Sequence, residues 1–225
     1  MDFDKLANQY VGQVATTYDA RREQAPKWAN EQACIDRILE TLPTGSSIVD
    51  IPVGTGRFLA TYAKYGLRPT GLDISHNMLE EARAKAVELG LEITLHDADI
   101  RKIPADDRAF DTALCVRFLN WVDIAGLEVA LRELQRVART NLIVSIRHYS
   151  TLFDVERTPT GVARMVRQLR RRISHRVRPR GITVHEHAKV RNTLDRLGLH
   201  VASATCIERR ADGTDYVIYH LRKTR

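Results

Sequence analysis

Long apolar runs are missing from this sequence. No stretch of its 225 residues approaches the roughly 20 apolar positions that a membrane-spanning helix needs, so such a helix is not expected. The opening Met1, Asp2, Phe3 and Asp4 are acidic where a secretory leader is basic and then apolar, and a cytoplasmic location is expected. Cysteine is scarce. Cys34, Cys115 and Cys206 are odd in number, far apart and without a CxxC pair, which argues against a disulfide framework and a thiolate zinc site. Acidic residues are absent between positions 164 and 180, where eight arginines lie. Those eight exceed the whole chain's net charge of +7, so the basicity is local. Aromatic residues are absent from the same region, with none between Phe153 and Tyr216, and base stacking on single-stranded nucleic acid has no platform there.

What is present is an ordinary globular composition, 44% hydrophobic and 28% charged, in a chain of the length of one α/β domain. Residues 28 to 42 carry apolar side chains at spacings of three and four, among them Ala29, Ala33, Ile35 and Ile38, which predicts an amphipathic helix. Short apolar strands are predicted over 47 to 51, 69 to 74, 92 to 96, 109 to 116 and 141 to 146. Helices over 58 to 65, 78 to 89 and 127 to 137 separate them, with Ser75 as a cap and Gly66 and Gly90 as stops. Strands joined through helices imply right-handed crossovers and a mostly parallel sheet. Further on, a basic helical segment near 160 to 176, a helix over 185 to 197, and two strands joined through Asp212 and Gly213 complete the pattern. The fold class expected is a Rossmann-like, doubly wound α/β sheet of seven strands with a C-terminal antiparallel hairpin. One domain is expected, comprising a helical cap (1–45), a cofactor-binding core (46–150), a basic insert (151–198) and terminal strands (199–225).

The richest stretch runs from Val49 through Asp50, Ile51, Pro52, Val53, Gly54, Thr55 and Gly56 to Arg57. It joins a buried strand to a helix through a turn whose glycines let the backbone approach a ligand. Asp73 closes the next strand, where a carboxylate can accept the hydroxyls of a ribose. A nicotinamide dinucleotide would want GxGxxG, yet Leu59 stands at the third glycine and Asp50 would repel a diphosphate. An acid there suits an amino acid's ammonium instead, and Arg57 with the helix N-terminus could hold the matching carboxylate.

The order DxxxGxG (50–56), GLDIS (71–75), HDADIRKIP (96–104) and FDTALCVRFLNW (110–121) resembles the class I S-adenosylmethionine-dependent methyltransferases, and in particular their ubiquinone-biosynthesis-like branch. The resemblance covers about residues 14 to 149. It implies that Asp50, Gly54 and Gly56 line the methionine end of S-adenosyl-L-methionine and that Asp73 takes the ribose hydroxyls. It also implies that Ile74 and Met78 flank the adenine, that Asp97 with the Ala98 amide reads the adenine edge, and that Cys115, Val116 and Arg117 wall the methyl group. Tyr18 and Arg22 match a YDxxR segment that closes over the cofactor. Pro52 stands where the family usually has a further glycine, and it removes one backbone amide.

Methyl transfer from a sulfonium chiefly needs alignment, and a base only where the acceptor must lose a proton. The strand ends after the fourth and fifth strands offer Arg117, Asn120, Trp121, Arg147, His148 and Tyr149, with Arg117 and His148 as catalytic candidates and His148 as the base. Asn120, Trp121, Arg147 and Tyr149 are the acceptor-side candidates. His185 and His187 do not read as a metal pair, and no metal is expected. The expected function is methylation of a small-molecule or lipid-like acceptor, which the arginines would suit if it is anionic. Two other readings stay open: a nucleic-acid methyltransferase that clamps phosphates with residues 164 to 180, and a cofactor-binding protein without turnover.

Overall fold

The computed structural model describes residues 26–149 and 182–223. Tyr18, Arg22 and the arginine-rich stretch lie outside them. Helix α1 (Pro26–Leu39) begins on a proline, whose missing amide costs nothing at the first helical position. Its buried face is Glu31, Cys34, Ile35, Ile38 and Leu39. Ala29 and Ala33, assigned to that face from spacing alone, are exposed, because the larger side chains of the helix select which stripe is covered.

Five crossovers follow. Strand β1 (Ser47–Asp50) leads to α2 (Leu59–Lys64), β2 (Arg68–Asp73) to α3 (His76–Glu88), and then come β3 (Thr94–Asp97) and β4 (Phe110–Cys115). Helix α4 (Ile124–Val137) runs straight into β5 (Ala138–Tyr149), and α5 (His187–Arg196) precedes β6 (Leu199–Arg209) and β7 (Thr214–Lys223). Strand β5 is twice the predicted length, since its last residues pair with β7 as far as Tyr149↔Thr214. Ser75 occupies the cap position of α3, but its side chain makes no capping hydrogen bond. Its backbone amide donates to Asp73 Oδ1 at 2.9 Å instead. At α4 the cap is side-chain built: Asp123 Oδ1 accepts from the Gly126 amide at 2.9 Å, satisfying one of the free donors of a helix start.

The sheet has seven strands in the order β3-β2-β1-β4-β5-β7-β6. The first five are parallel, while β7 enters antiparallel between β5 and β6. Strand alternation sorts the core into two layers. Leu114, Ile143, Tyr216 and Ile218 pack with Ile35, Leu39 and Tyr62 beneath α1 and α2. Ala113, Cys115, Val144, Ile146 and Tyr219 pack with Leu127, Leu131 and Val190 beneath α4 and α5. The order reverses between β1 and β4, the place where open α/β sheets bind ligands at their carboxyl ends. Among the described residues no helix is long and apolar enough to cross a membrane.

Candidate active site

At that switch point lies a cleft with about 900 Å³ of empty space, part of it open solvent. Its floor is the β1–α2 turn. Gly54 and Gly56 adopt φ of 56° and 73°, a left-handed conformation that glycine tolerates without steric cost. A Cβ on Gly54 would meet no atom within 4 Å, whereas one on Gly56 would lie 2.5 Å from Leu59 Cδ1. The first glycine therefore leaves space in the cleft, and the second allows α2 to pack. The Gly54 amide donates to Asp73 Oδ2 at 2.9 Å, which ties the turn to the end of β2. Asp50, Pro52, Asp73, Ile74, Met78, Val116, Arg117 and Trp121, all candidates from the sequence, are brought together along the cleft.

Two carboxylates dominate its electrostatics. Asp50 is 2% exposed, and burial lifts its pKa to about 7, opposed by the Tyr62 hydrogen bond and assisted by the charge of Asp73. Asp73 is lifted to about 6, again by burial, against the stabilising amides of Ser75, Gly54 and Ile74. Desolvation disfavours the ionised form of each, so a cation entering the cleft would be stabilised by both. That suits a ligand with an ammonium and a sulfonium, and the apolar Ile74 and Met78 suit a flat ring beside the sugar.

Several expected roles are corrected by the geometry. The Ala98 amide already donates to the Asp73 carbonyl oxygen at 3.1 Å, so it is not free to read an adenine edge. Cys115 is fully buried beneath α4; the wall is made by Val116, Arg117 and Phe118. Asp97 is exposed beside Asp73 at the end of β3 and does not line the cleft. Arg57 is engaged on one side by the buried Glu31 and by the Trp28 carbonyl at 2.9 Å, and its Nε is left without a partner.

His148 is the largest correction. It is 3% exposed; Nδ1 lies 2.8 Å from the Tyr149 carbonyl oxygen and Nε2 2.7 Å from the Tyr219 hydroxyl. A carbonyl can only accept, so Nδ1 carries the proton and Nε2 accepts from Tyr219. Neither nitrogen is free to act as a base. The cause is the period of a strand: Arg147 faces the α1 layer, over the Tyr216 ring, and its neighbour faces α5, where the His187 ring stands 4.9 Å away. His185, expected in the helix, forms a bridge with His148 and exchanges backbone hydrogen bonds with Arg147 and Tyr149, so α5 starts two residues later.

Asn120 is structural: its Oδ1 accepts from the Arg147 amide at 3.1 Å and its carbonyl from the Thr183 amide at 2.6 Å. Tyr149 is half-buried at the end of β5 and lies outside the cleft wall. Arg117 has φ of 66°, a strained conformation for a residue with a Cβ. It is held by its amide on Ser145 Oγ at 2.6 Å and by Trp121 Nε1, which donates to its carbonyl at 3.1 Å.

Three residues escaped the sequence reading. Glu31 accepts from both Arg57 and Arg117 on one oxygen, Trp28 lies 3.6 Å and 4.5 Å from their guanidinium carbons, and Tyr62 bonds Asp50. Glu31 could have been found, since an acid on the buried stripe of a helix needs a partner.

Residues 48–141 match the family described as a methyltransferase domain, a span from β1 into β5. Within this span the chain carries a methyltransferase domain of the class I S-adenosylmethionine-dependent kind. Among curated proteins, this chain is 33% identical over 109 residues to phosphatidylethanolamine N-methyltransferase of Cereibacter sphaeroides, covering 47% of this chain and 52% of that protein. It is 30% identical over 149 residues to malonyl-[acyl-carrier protein] O-methyltransferase of Pectobacterium atrosepticum, covering 65% and 53%. The chain thus spans about half the length of these relatives. Magnesium protoporphyrin IX methyltransferase of Synechocystis PCC 6803, solved with bound S-adenosylhomocysteine, shares the fold with a TM-score of 0.66. Identity there is 20%, with 99% of this chain and 94% of that chain covered.

Proposed function

We propose that the protein transfers a methyl group from S-adenosylmethionine to a small-molecule or lipid-like acceptor. The observation that carries this reading is the pair of buried carboxylates, Asp50 and Asp73, in one cleft around the Gly54 turn. When bound, S-adenosylmethionine supplies an activated methyl group on a sulfonium. Asp50 would hold the ammonium, Arg57 Nε the carboxylate, and Asp73 the ribose hydroxyls. Ile74 and Met78 would flank the adenine. Val116, Arg117 and Phe118 would wall the reacting end and exclude water, while Trp28 and Trp121 bound the approach of the acceptor. No base is needed for an acceptor without a proton to lose, so the engagement of His148 is compatible with turnover. The relatives named above, which act on a phospholipid and an acyl carrier conjugate by their names, favour a lipid-like acceptor.

The test combines calorimetry with label transfer. S-adenosylhomocysteine should bind the full chain, and Asp73→Ala should weaken it by about 10- to 100-fold, the scale of charged hydrogen bonds. Methyl-labelled cofactor incubated with fractionated extract should label solvent-extractable small molecules or lipids. Label confined to RNA or to the amino-acid side chains of proteins, or an absence of cofactor binding, would refute the reading.

A further inference from the structure

Around Trp28, extending from the cleft wall away from the cofactor turn, lies a largely buried cluster with more cations than anions. Glu31 already serves Arg57 and Arg117. Glu208 Oε2 alone meets Arg147 at 2.6 Å, Arg210 at 3.2 Å and Lys27 at 3.7 Å. Five basic side chains therefore share two carboxylates among the described residues. Arg147 is 2% exposed, yet its Nε and Nη1 have no hydrogen-bond partner, a costly state for a buried cation. Its guanidinium carbon lies 5.2 Å from the centroid of the Tyr216 ring, and Lys27 Nζ 4.2 Å from the same ring. Burial and the neighbouring Arg147 charge lower the Lys27 pKa to about 8, as expected for a cation held among cations.

Arg147 is not part of the cofactor cleft wall, so it is not placed for the cofactor's own carboxylate. Lys27 is likewise absent from that wall, but it directly precedes the lining residue Trp28 on α1, and Arg117 is a neighbour of Lys27 and of Trp28. We infer that the acceptor carries an oxyanion, a carboxylate or a phosphate, and that Arg147 and Lys27 hold it beside the Trp28–Arg117 wall. This inference rests on the proposed methyl transfer and names the class of acceptor. An oxyanion there accepts the free donors of Arg147 and offsets the surplus charge, while its uncharged remainder reaches along the indole of Trp28 toward the reacting end.

The experiment is calorimetric titration of the full chain saturated with S-adenosylhomocysteine, using octanoate, mono-octyl phosphate and neutral octanol. One of the two anions should bind at least tenfold more tightly than octanol, and the tighter one identifies the oxyanion. Lys27→Met and Arg147→Gln should each lower that affinity at least tenfold, with the S-adenosylhomocysteine affinity unchanged within twofold. Arg147→Gln breaks the pair with Glu208; if it does not fold, Lys27→Met, at a half-buried position, decides alone. Octanol binding as tightly as the anions, no binding of any probe, or anion affinity unmoved by Lys27→Met would overturn the inference. Failure of S-adenosylhomocysteine itself to bind would instead overturn the methyltransferase reading, because the anion titrations can be repeated without it.

Discussion

Tyr62 donates a 2.8 Å hydrogen bond to Asp50 Oδ2 at a place where the tyrosine is fully buried and the carboxylate nearly so. The bond partly offsets the desolvation that raises the Asp50 pKa to about 7, which leaves this carboxylate poised to change charge near neutrality. Its neighbour Asp73, at about 6, titrates below it.

Cofactor affinity should therefore depend on pH. An ammonium ligand favours ionised Asp50, so binding below about pH 7 must expel a proton, and affinity should fall toward tenfold per pH unit as pH drops from 7 to 6. Above about pH 7.5 it should level off. Calorimetry across this range checks the slope, and Asp50→Asn should bind weakly with a flat profile. Tyr62→Phe should move the midpoint upward by removing the bond that favours the ionised form. The same pKa sets a stability relation: a carboxyl raised above its ordinary 3.8 stabilises the fold below that value and loses the contribution as pH rises through 7. Without ligand, the protein should thus lose stability relative to Asp50→Asn over that window, as read by urea denaturation.

Glu31 should be indispensable to the cleft wall. Its Oε1 receives Arg57 and Arg117 together, with both guanidinium carbons within 4.5 Å of the Trp28 ring centroid. Glu31→Gln leaves two largely buried cations without their anion, at a cost of about 3–5 kcal/mol. Denaturant unfolding should show that loss, and the folded fraction should bind S-adenosylhomocysteine more weakly because Arg57 and Arg117 line the cleft.

His148 should matter to stability and not to the chemical step. His148→Ala removes two buried hydrogen bonds, with Tyr149 and Tyr219, and should cost about 1–3 kcal/mol. Burial holds the His148 pKa below its ordinary 6.5, so the unfolded chain takes up the proton first and this contribution fades as pH falls through that value. The wild type should lose stability between pH 7.5 and 5.5 more steeply than the variant. The rate of label transfer in folded variant protein should match the wild type; a large loss of rate would return His148 to the mechanism.

The contrast between His148 and Arg147 shows where the sequence was legible. The buried strands around Val49, Leu72 and Val144, the turn glycines and Asp73 each follow from a local pattern, and they put Asp50, Ile74, Met78 and Trp121 in the cleft. Which face each residue of β5 presents depends on its register with β7, a pairing across about seventy residues that no local period encodes. For the same reason the Ala98 amide and Asn120 looked available: their partners, Asp73 and Arg147, come from other strands. Glu31, Trp28 and Tyr62 went unread because each acts on a residue 12 or more positions away.

The two turn glycines should fail in different ways when changed to alanine. Both have positive φ, which for an alanine costs about 1–2 kcal/mol. At Gly56 the new methyl also meets Leu59 Cδ1 at 2.5 Å and the Ala82 backbone at 3.2 Å, so α2 and α3 must shift apart. Gly56→Ala should accordingly be clearly less stable than Gly54→Ala in thermal unfolding. At Gly54 nothing stands within 4 Å, but that space belongs to the cleft, and the methyl would crowd the ligand while leaving the fold intact. Gly54→Ala should unfold within a few degrees of the wild type and yet bind S-adenosylhomocysteine at least tenfold more weakly. Wild-type affinity in Gly54→Ala would mean that the ligand does not approach the backbone of this turn.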